Sequence, residues 1–348
     1  MARQNYKNWI LAICCCVFLG AVAPRFFIHA RADQVTSTLL VGNSKIDVVI
    51  ESNDGGTAQL SQTDAMHWVQ MAAESVSTYY GRFPVSHLLL RIIPFDGNGV
   101  RHGQTWGRGG GLISIHVGTQ TTPADFADDW MLPHEMIHLA FPSMADEHHW
   151  IEEGISTYVE PVARIQASHM EATQMWRDLV RDLPKGQPQS GDQGLDHTHT
   201  WGRTYWGGAL FCFVADVEIH KQTQNKKGLQ DALRGILNAG GTINEDWEIE
   251  KALKIGDQAT GVSVLVPLYE KMKDQAVDTD LPGMWKQLGV SRDAEGLHFH
   301  DDAPLAAARQ AIIATPAASG AKPSAALHPP VVSAGRTASV PRNDTGQN

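Results

Sequence analysis

The sequence has little cysteine. Four cysteines occur among 348 residues, and three of them, Cys14 to Cys16, lie in an apolar segment near the N-terminus. If that segment is removed, only Cys212 remains, so an intramolecular disulfide is excluded and stability must come from the core or a bound metal. Basic residues are also scarce, 28 against 38 acidic ones, which gives a formal net charge of -10. This acidic balance argues against nucleic acid as a partner.

Residues 1–32 are predicted to be a signal peptide. Two basic residues precede the apolar run Trp9–Ala23, which is shorter than the roughly 20 residues that a membrane-spanning helix needs. Ala30 and Ala32 then form an Ala-x-Ala site, with cleavage expected before Asp33. The chain is therefore expected to be exported, as a periplasmic or secreted protein. An uncleaved membrane anchor is the alternative, because the segment before the cleavage site is long and carries an arginine.

The remaining chain has the composition of a globular protein. Hydrophobic residues make up 43% of the sequence and charged residues 19%, so a sizeable core is available. We expect one domain over residues 33–313 and a disordered Ala/Pro-rich tail over residues 314–348. Within the domain, the patterns predict a sheet-containing part at 33–120, helices at 121–220 and a further helical part at 221–313.

Short β-branched runs and one amphipathic helix organise the first part. "KIDVVIES" and "HLLLRIIPF" have the length and the bounding turn residues of strands. Between them, Ser61 and Asp64 have the spacing of a helix start, apolar residues follow at helical spacing, and Gly81 is expected to end the helix.

A glycine-rich segment precedes a third strand. "WGRGGGLISIHVG" lacks the Gly-Lys-Ser/Thr ending of a phosphate-binding loop. A glycine turn into a strand fits better, with Ile113, Ile115 and Val117 on one face. We expect this strand to form the edge of a cleft, where the backbone around Gly110 and Gly111 would bind an extended peptide.

Beyond residue 123 the periodicity is helical. Helices are predicted at Ala124–Phe141, Trp150–Met170 and Tyr205–Gln222, and a long loop is predicted at Leu183–Thr200. Loops of that length in compact domains are usually functional or disordered.

The first of these helices carries His134, Glu135 and His138. Residues four apart share one helix face, so both imidazoles can reach one ion at about 2.0 to 2.1 Å. Glu135 is turned about 100° from His134, close enough to hold the attacking water without ligating the metal. Fourteen residues separate His138 from Glu153 on the next helix, enough for a turn and an antiparallel return. A third ligand is then available, and the fourth position stays open, as catalytic zinc requires.

His134-Glu135-x-x-His138 followed by Trp150-x-x-Glu153-Gly154 resembles the gluzincin metallopeptidases, in particular the aminopeptidase N and glycyl aminopeptidase types. The resemblance implies His134, His138 and Glu153 as zinc ligands. It places Glu152 beside the ligand as a substrate contact or a competing ligand.

The resemblance also implies roles for two residues further along. Glu160 would accept the other N–H of a ligand histidine; the alternative is a solvated helix glutamate. Tyr205-Trp206-Gly207-Gly208-Ala209 resembles the segment that carries the catalytic tyrosine of these peptidases. Tyr205 would donate its phenol to the developing oxyanion; the alternative is a tyrosine that packs on the core.

The sequence departs from the family in two respects. The spacing between His138 and Glu153 is shorter than in the aminopeptidase N type. The Gly-x-Met-Glu-Asn segment, whose glutamate binds the substrate's amino group, is absent. From the motifs that do match, we expect an α+β fold of the thermolysin-like zincin type. It would have a small mixed sheet, two zinc-bearing helices and a helical C-terminal part. The expected activity is zinc-dependent peptide hydrolysis, with Zn²⁺ as cofactor and a peptide or protein as substrate, and membrane contact only through an uncleaved anchor. An aminopeptidase anchored by Glu152 and a catalytically silent zinc-binding envelope module are the alternatives.

Overall fold

The computed structural model describes residues 35–51, 60–107 and 109–315. The predicted signal peptide, residues 1–32, lies outside the described residues. Of the predicted tail, residues 314–348, only the first two are described.

A five-stranded mixed sheet forms the first part of the structure; the sequence predicts a small mixed sheet and three of its strands, β2, β3 and β5. Its strands are β1 (Val35–Val41), β2 (Ser44–Ile50), β3 (His87–Phe95), β4 (Val100–Gly107) and β5 (Gly111–Gly118). Their order is β1-β2-β3-β5-β4. β2, β3 and β5 are parallel, while β1 and β4 run antiparallel to their neighbours. The small hairpin β6 (Val290–Arg292) and β7 (Leu297–Phe299) lies near the C-terminal end.

Helices make up most of the remaining described chain. They are α1 (Gln62–Tyr80), α2 (Pro123–Asp128), α3 (Met131–His138), α4 (His149–Gln166), α5 (Ala172–Asp182), α6 (Gly208–Thr223), α7 (Leu229–Asn238), α8 (Ile249–Thr260), α9 (Leu265–Met272), α10 (Leu281–Leu288) and α11 (Ala306–Ile313). Short 3₁₀ turns occur at Asp146–His148 and Leu183–Gly186, and a π-helical turn at Gly202–Gly207. The fold is therefore α+β, with a small sheet and many helices.

α1 connects the parallel strands β2 and β3 and begins and ends where the sequence predicts. The hydroxyl of Ser61 accepts the N–H of Asp64 at 3.3 Å, and Gly81 ends the helix at φ 79°. A left-handed φ of this kind is why glycine stands there. The buried face of α1 and the inner face of the sheet belong to one hydrophobic core.

The predicted helix Ala124–Phe141 is in fact two helices. Asp129 is extended, with ψ 130°, and separates α2 from α3. Its carboxylate accepts the N–H groups of Met131 and Leu132, both at 3.1 Å, and that of the Trp68 indole at 2.9 Å. Asp129 thus supplies the hydrogen bonds that start a new helix. Pro133 then lies in the first turn of α3, where a missing N–H does little harm.

The prediction that β5 forms the edge of the cleft is wrong. β5 is hydrogen-bonded to β3 on one side and to β4 on the other, so its backbone groups are already paired. Gly110 is also engaged, because its N–H and C=O bond to the side chain of Asn244 at 3.3 and 2.7 Å. A Cβ at Gly111 would lie 2.6 Å from the side chain of Leu139. The pairing of β5 and the bonds of Gly110 therefore engage this backbone within the protein, and the edge strand on this side of the sheet is β4.

Among the described residues, no helix has both the length and the apolar character needed to cross a membrane.

Candidate active site

α3 and α4 bring His134, His138 and Glu153 together. Nε2 of His134 lies 3.1 Å from Oε2 of Glu153, and Nε2 of His138 lies 3.7 Å from the same oxygen. One donor atom from each residue lies within 4.8 Å of the others. The spacing of His134 and His138 on one helix and the return of α4 produce this convergence, as expected from the sequence.

The protonation of these groups suits a metal. Burial, together with His134, lowers the pKa of His138 to about 3, so its imidazole is neutral at neutral pH. Burial would raise the pKa of Glu153, but hydrogen bonds with His134 and His149 hold it well below its usual range. Neutral imidazoles and an ionised carboxylate are the forms that bind metal. Two histidines and one glutamate fit a catalytic zinc ion.

Glu135 lies beside this cluster and contacts β4. The hydroxyl of Thr105 lies 2.5 Å from Oε2 of Glu135 and 3.0 Å from its backbone oxygen. A Cβ at Gly103 would lie 2.6 Å from Oε1 of Glu135, so glycine leaves the room that this carboxylate occupies. Burial raises the pKa of Glu135, against the opposing effects of His134 and Thr105. A carboxylate with a raised pKa is a suitable general base.

Tyr205 faces the same cluster. Its ring stacks near that of His134, with centroids 6.3 Å apart, and on Trp201 at 5.9 Å. Burial, and then the carboxylates of Glu153 and Glu135, raise the pKa of Tyr205 to about 12. Its phenol is therefore protonated at neutral pH and can donate a hydrogen bond. The residue lies in the π-helical turn before α6, rather than at the start of an α-helix as the sequence suggested.

Two glycines explain how Tyr205 comes so close to α4. A Cβ at Gly154 would lie 2.3 Å from backbone atoms of Gly208, and a Cβ at Gly208 would lie 2.0 Å from the carbonyl oxygen of Trp150. α4 and the start of α6 therefore touch backbone to backbone. Both glycines belong to the segments that carry the resemblance, and the contact gives a physical reason for them.

A carboxylate in the loop before Tyr205 fixes the start of α4. Asp196 accepts hydrogen bonds from the indole of Trp150 at 2.7 Å and the phenol of Tyr269 at 2.8 Å. Nδ1 of His148 lies 3.2 Å from it. This part of the predicted loop is therefore ordered and buried, and it joins α4 to α9.

Glu160 does not make the hydrogen bond predicted from the resemblance. Its carboxylate accepts from Arg164 at 3.0 Å, and Nδ1 of His134 is buried without a hydrogen-bond partner. Burial raises the pKa of Glu160 to about 7, although Arg164 opposes this. Glu160 is not a solvated glutamate either, because it is only 7% exposed.

Glu152 lies beside the cluster together with His149. Nδ1 of His149 lies 3.2 Å from Glu152 and Nε2 lies 3.3 Å from Glu153. Hydrogen bonds with Glu152 and then Glu153 raise the pKa of His149 to about 10. No sequence motif points to His149, yet it precedes Glu153 by four residues on the same helix, and that spacing could have indicated the contact.

One cleft of about 520 Å³ is lined by His134, Glu135, His138, His149, Glu152, Glu153 and Tyr205. β4 forms one wall, from His102 to Trp106, while α3, α4 and Tyr205 form the others. β4 is an edge strand of the sheet, and the N–H of Gly103 on it bonds the sulfur of Met131 in α3 at 3.2 Å. The sequence missed this wall, because a bulge between Arg101 and Gln104 interrupts the alternation of the strand.

No protein-family model and no curated protein matches this chain. Its structure is similar to that of an aminopeptidase N family protein from Idiomarina loihiensis, with a TM-score of 0.56, 12% identity, and 74% of this chain and 49% of that chain covered. An M1 zinc metallopeptidase from Deinococcus radiodurans matches with a TM-score of 0.47, 12% identity, and 71% and 53% coverage.

The similarity to the Idiomarina loihiensis protein concerns the fold. It confirms that the chain has the fold that the motifs around His134, Glu153 and Tyr205 predict. The chain spans about half the length of these solved structures.

Proposed function

We propose that the protein is a zinc-dependent peptide hydrolase. The observation that carries the proposal is the convergence of His134, His138 and Glu153 on one point, with Glu135 and Tyr205 facing it in the same cleft. Zinc held there would act as a Lewis acid toward the scissile carbonyl and lower the pKa of the attacking water.

Side chains of the protein carry out the proton transfers and stabilise the oxyanion. Glu135 accepts the proton of the attacking water and passes it to the leaving amine, since its buried carboxylate lies beside the ligands. Tyr205 donates its phenolic hydrogen to the oxygen that gains negative charge. Its raised pKa, about 12, keeps that hydrogen in place at neutral pH. The free edge of β4 holds the peptide backbone in an extended form.

An aminopeptidase is the second candidate, because Glu152 lines the cleft next to Glu153. Its carboxylate could bind a free N-terminal amine, although His149 already contacts it. A comparison of free and N-acetylated peptides separates the two, since an aminopeptidase cannot use the blocked form. A catalytically silent zinc module is disfavoured, because such a module needs neither Glu135 nor Tyr205.

The experiment measures the zinc content and the peptide cleavage of the full chain beside Glu135→Gln. We expect one zinc per chain in both proteins, with cleavage reduced in the variant by about 10² to 10⁴-fold. Near-normal cleavage by Glu135→Gln would remove the general-base role. Zinc without any cleavage by the wild type would favour the silent module.

We also propose that this activity takes place outside the cytoplasm. The support is the basic and apolar sequence of residues 1–32. Cell fractionation with N-terminal sequencing of the exported chain tests this, and an N-terminus at Met1 on a cytoplasmic protein would contradict it.

A further inference from the structure

A second cavity, of about 400 Å³, lies next to the active-site cleft. We call it the tryptophan pocket, because Trp130, Trp201 and Trp206 form its walls, with Met170, Met175 and Leu179 among the other lining residues. It meets the cleft at Trp130, His134 and Tyr205, which line both cavities. His134 is a predicted zinc ligand, and Tyr205 is the predicted hydrogen-bond donor to the oxyanion.

The exposure of the tryptophans is unusual. Five large hydrophobic side chains are exposed among the described residues: Leu40, Trp106, Trp130, Trp201 and Phe299. Three of them are tryptophans that line the cleft or the tryptophan pocket, and Trp201 is 62% exposed. Apolar surface that is gathered around a cavity, rather than scattered, marks a binding site.

Both arginines that line the tryptophan pocket are already paired. Glu160 bonds to Arg164 at 3.0 Å, and Arg181 contacts Asp178 at 2.8 Å and Asp182 at 2.5 Å. An anionic ligand would have to displace the carboxylates that already hold these arginines. An apolar aromatic ring would instead bind against the three indoles, where offset or edge contacts between rings add to the burial of apolar area.

The tryptophan pocket lies where a side chain of a bound peptide substrate would reach it. Consecutive residues of an extended chain are about 3.3 to 3.6 Å apart. A peptide whose carbonyl lies between His134 and Tyr205 therefore has a neighbouring side chain at the mouth of this pocket. The volume of about 400 Å³ falls in the range of small-molecule sites, about 300 to 1,000 Å³.

We propose that the tryptophan pocket binds the side chain of a large aromatic residue that flanks the scissile bond. This inference rests on the proposed peptidase function and names the substrate class: peptides with phenylalanine, tyrosine or tryptophan beside the bond that is cut.

The test uses the zinc-loaded full chain and two peptide series that carry Phe, Leu or Ala at one or the other position flanking the cleaved bond. The wild type is expected to have a kcat/KM for Phe at least roughly tenfold above that for Ala at one of these positions. Thr157→Leu places a larger side chain in the pocket lining, and the Phe/Ala ratio is expected to fall to about threefold or less. Phe299→Ala, which removes an exposed aromatic ring outside both cavities, should keep the wild-type ratio.

Two further measurements distinguish failure of the pocket proposal from failure of the peptidase proposal. Trp201→Ala removes an exposed wall and should lower the Phe/Ala ratio even if Thr157→Leu does not fold. Binding of N-acetyl-phenylalaninamide and N-acetyl-alaninamide to zinc-loaded Glu135→Gln is then measured by calorimetry, with and without Thr157→Leu.

Equal cleavage rates for the Phe and Ala peptides would contradict the role of the tryptophan pocket but not the peptidase function. The same conclusion follows if Thr157→Leu and Trp201→Ala both leave the Phe/Ala ratio unchanged. Selective binding of the phenylalanine amide that Thr157→Leu abolishes, with no cleavage of any peptide, supports the pocket and overturns the peptidase. If neither cleavage nor selective binding occurs, both proposals fall.

Discussion

The hydroxyl of Thr105 lies 2.5 Å from the carboxylate of Glu135. This contact joins the outer strand of the sheet to the proposed general base on α3, and it fixes the carboxylate toward the cluster of His134, His138 and Glu153. The sheet therefore does more than support the helices, because it positions the group that would remove the proton from water.

Replacing Thr105 with valine should lower kcat about tenfold or more and leave KM and zinc content unchanged. A hydrogen bond to a charged group contributes about 1.5 to 3 kcal/mol, and valine keeps the shape of threonine while it removes the hydroxyl. Thr105→Ser, which keeps the hydroxyl, should restore most of the rate. Equal rates in the valine and serine variants would show that the hydroxyl does not position Glu135.

Removal of zinc by a chelator should stop peptide cleavage and lower the melting temperature, and added zinc should restore both. A metal present at 100 times its dissociation constant stabilises the folded state by about 2.7 kcal/mol. His138→Ala provides the control, because it removes one ligand and should melt at the same temperature with and without zinc. A chelator-insensitive melting temperature in the wild type would contradict the assignment of these ligands.

Glu160 should make the free energy of unfolding depend on pH. Its pKa is about 7 in the folded protein, above the ordinary value of 4.5, so the folded state binds its proton more tightly than the unfolded state. The resulting stabilisation is complete below about pH 4.5 and is lost as the pH rises through about 7.

Glu160→Gln tests this pH dependence. Glutamine keeps an oxygen for Arg164 but cannot titrate, so the variant should gain stability relative to the wild type between pH 5 and pH 8. Denaturant unfolding at several pH values measures the difference. Parallel curves for the two proteins would show that the pKa of Glu160 is not raised.

Asp196→Ala should destabilise the protein by about 3 kcal/mol. The substitution leaves the indole of Trp150 and the phenol of Tyr269 without their acceptor, and a buried donor without a partner costs about 1 to 3 kcal/mol. Asp274→Ala is the matched control, because Asp274 is exposed and pairs only with exposed His197 among the described residues. Its effect should stay within about 0.5 kcal/mol in denaturant unfolding.

The sequence predicted the parts of this site that lie on regular helices. The spacing of His134 and His138 sets a common face, and the length of chain before Glu153 allows α4 to return beside α3. The apolar period of α1 and its two ends were equally readable. These features depend on neighbours close in sequence, which is why a single sequence reveals them.

The remaining parts depend on contacts between distant segments. Thr105 meets Glu135 only because β4 adds to the outside of β5, and no local pattern gives the order of strands in a sheet. Glu160 is an exception, because its partner Arg164 lies four residues later on the same helix, and that spacing could have indicated the pair. The end of α2 at Asp129 could not be predicted, because the apolar residues keep helical spacing on both sides of it.

The free edge of β4 has a consequence for the solubility of the protein. An outer strand with unpaired backbone groups is also a template on which a second copy of the chain can add a strand, and this leads to aggregation. β4 carries a bulge between Arg101 and Gln104, and His102 has a left-handed φ of 53°. A bulge bends its strand and increases the local twist. The irregularity that hid this strand from the sequence patterns therefore also disfavours long, flat pairing between two copies of the chain, while a short peptide segment can still pair with the regular part of β4.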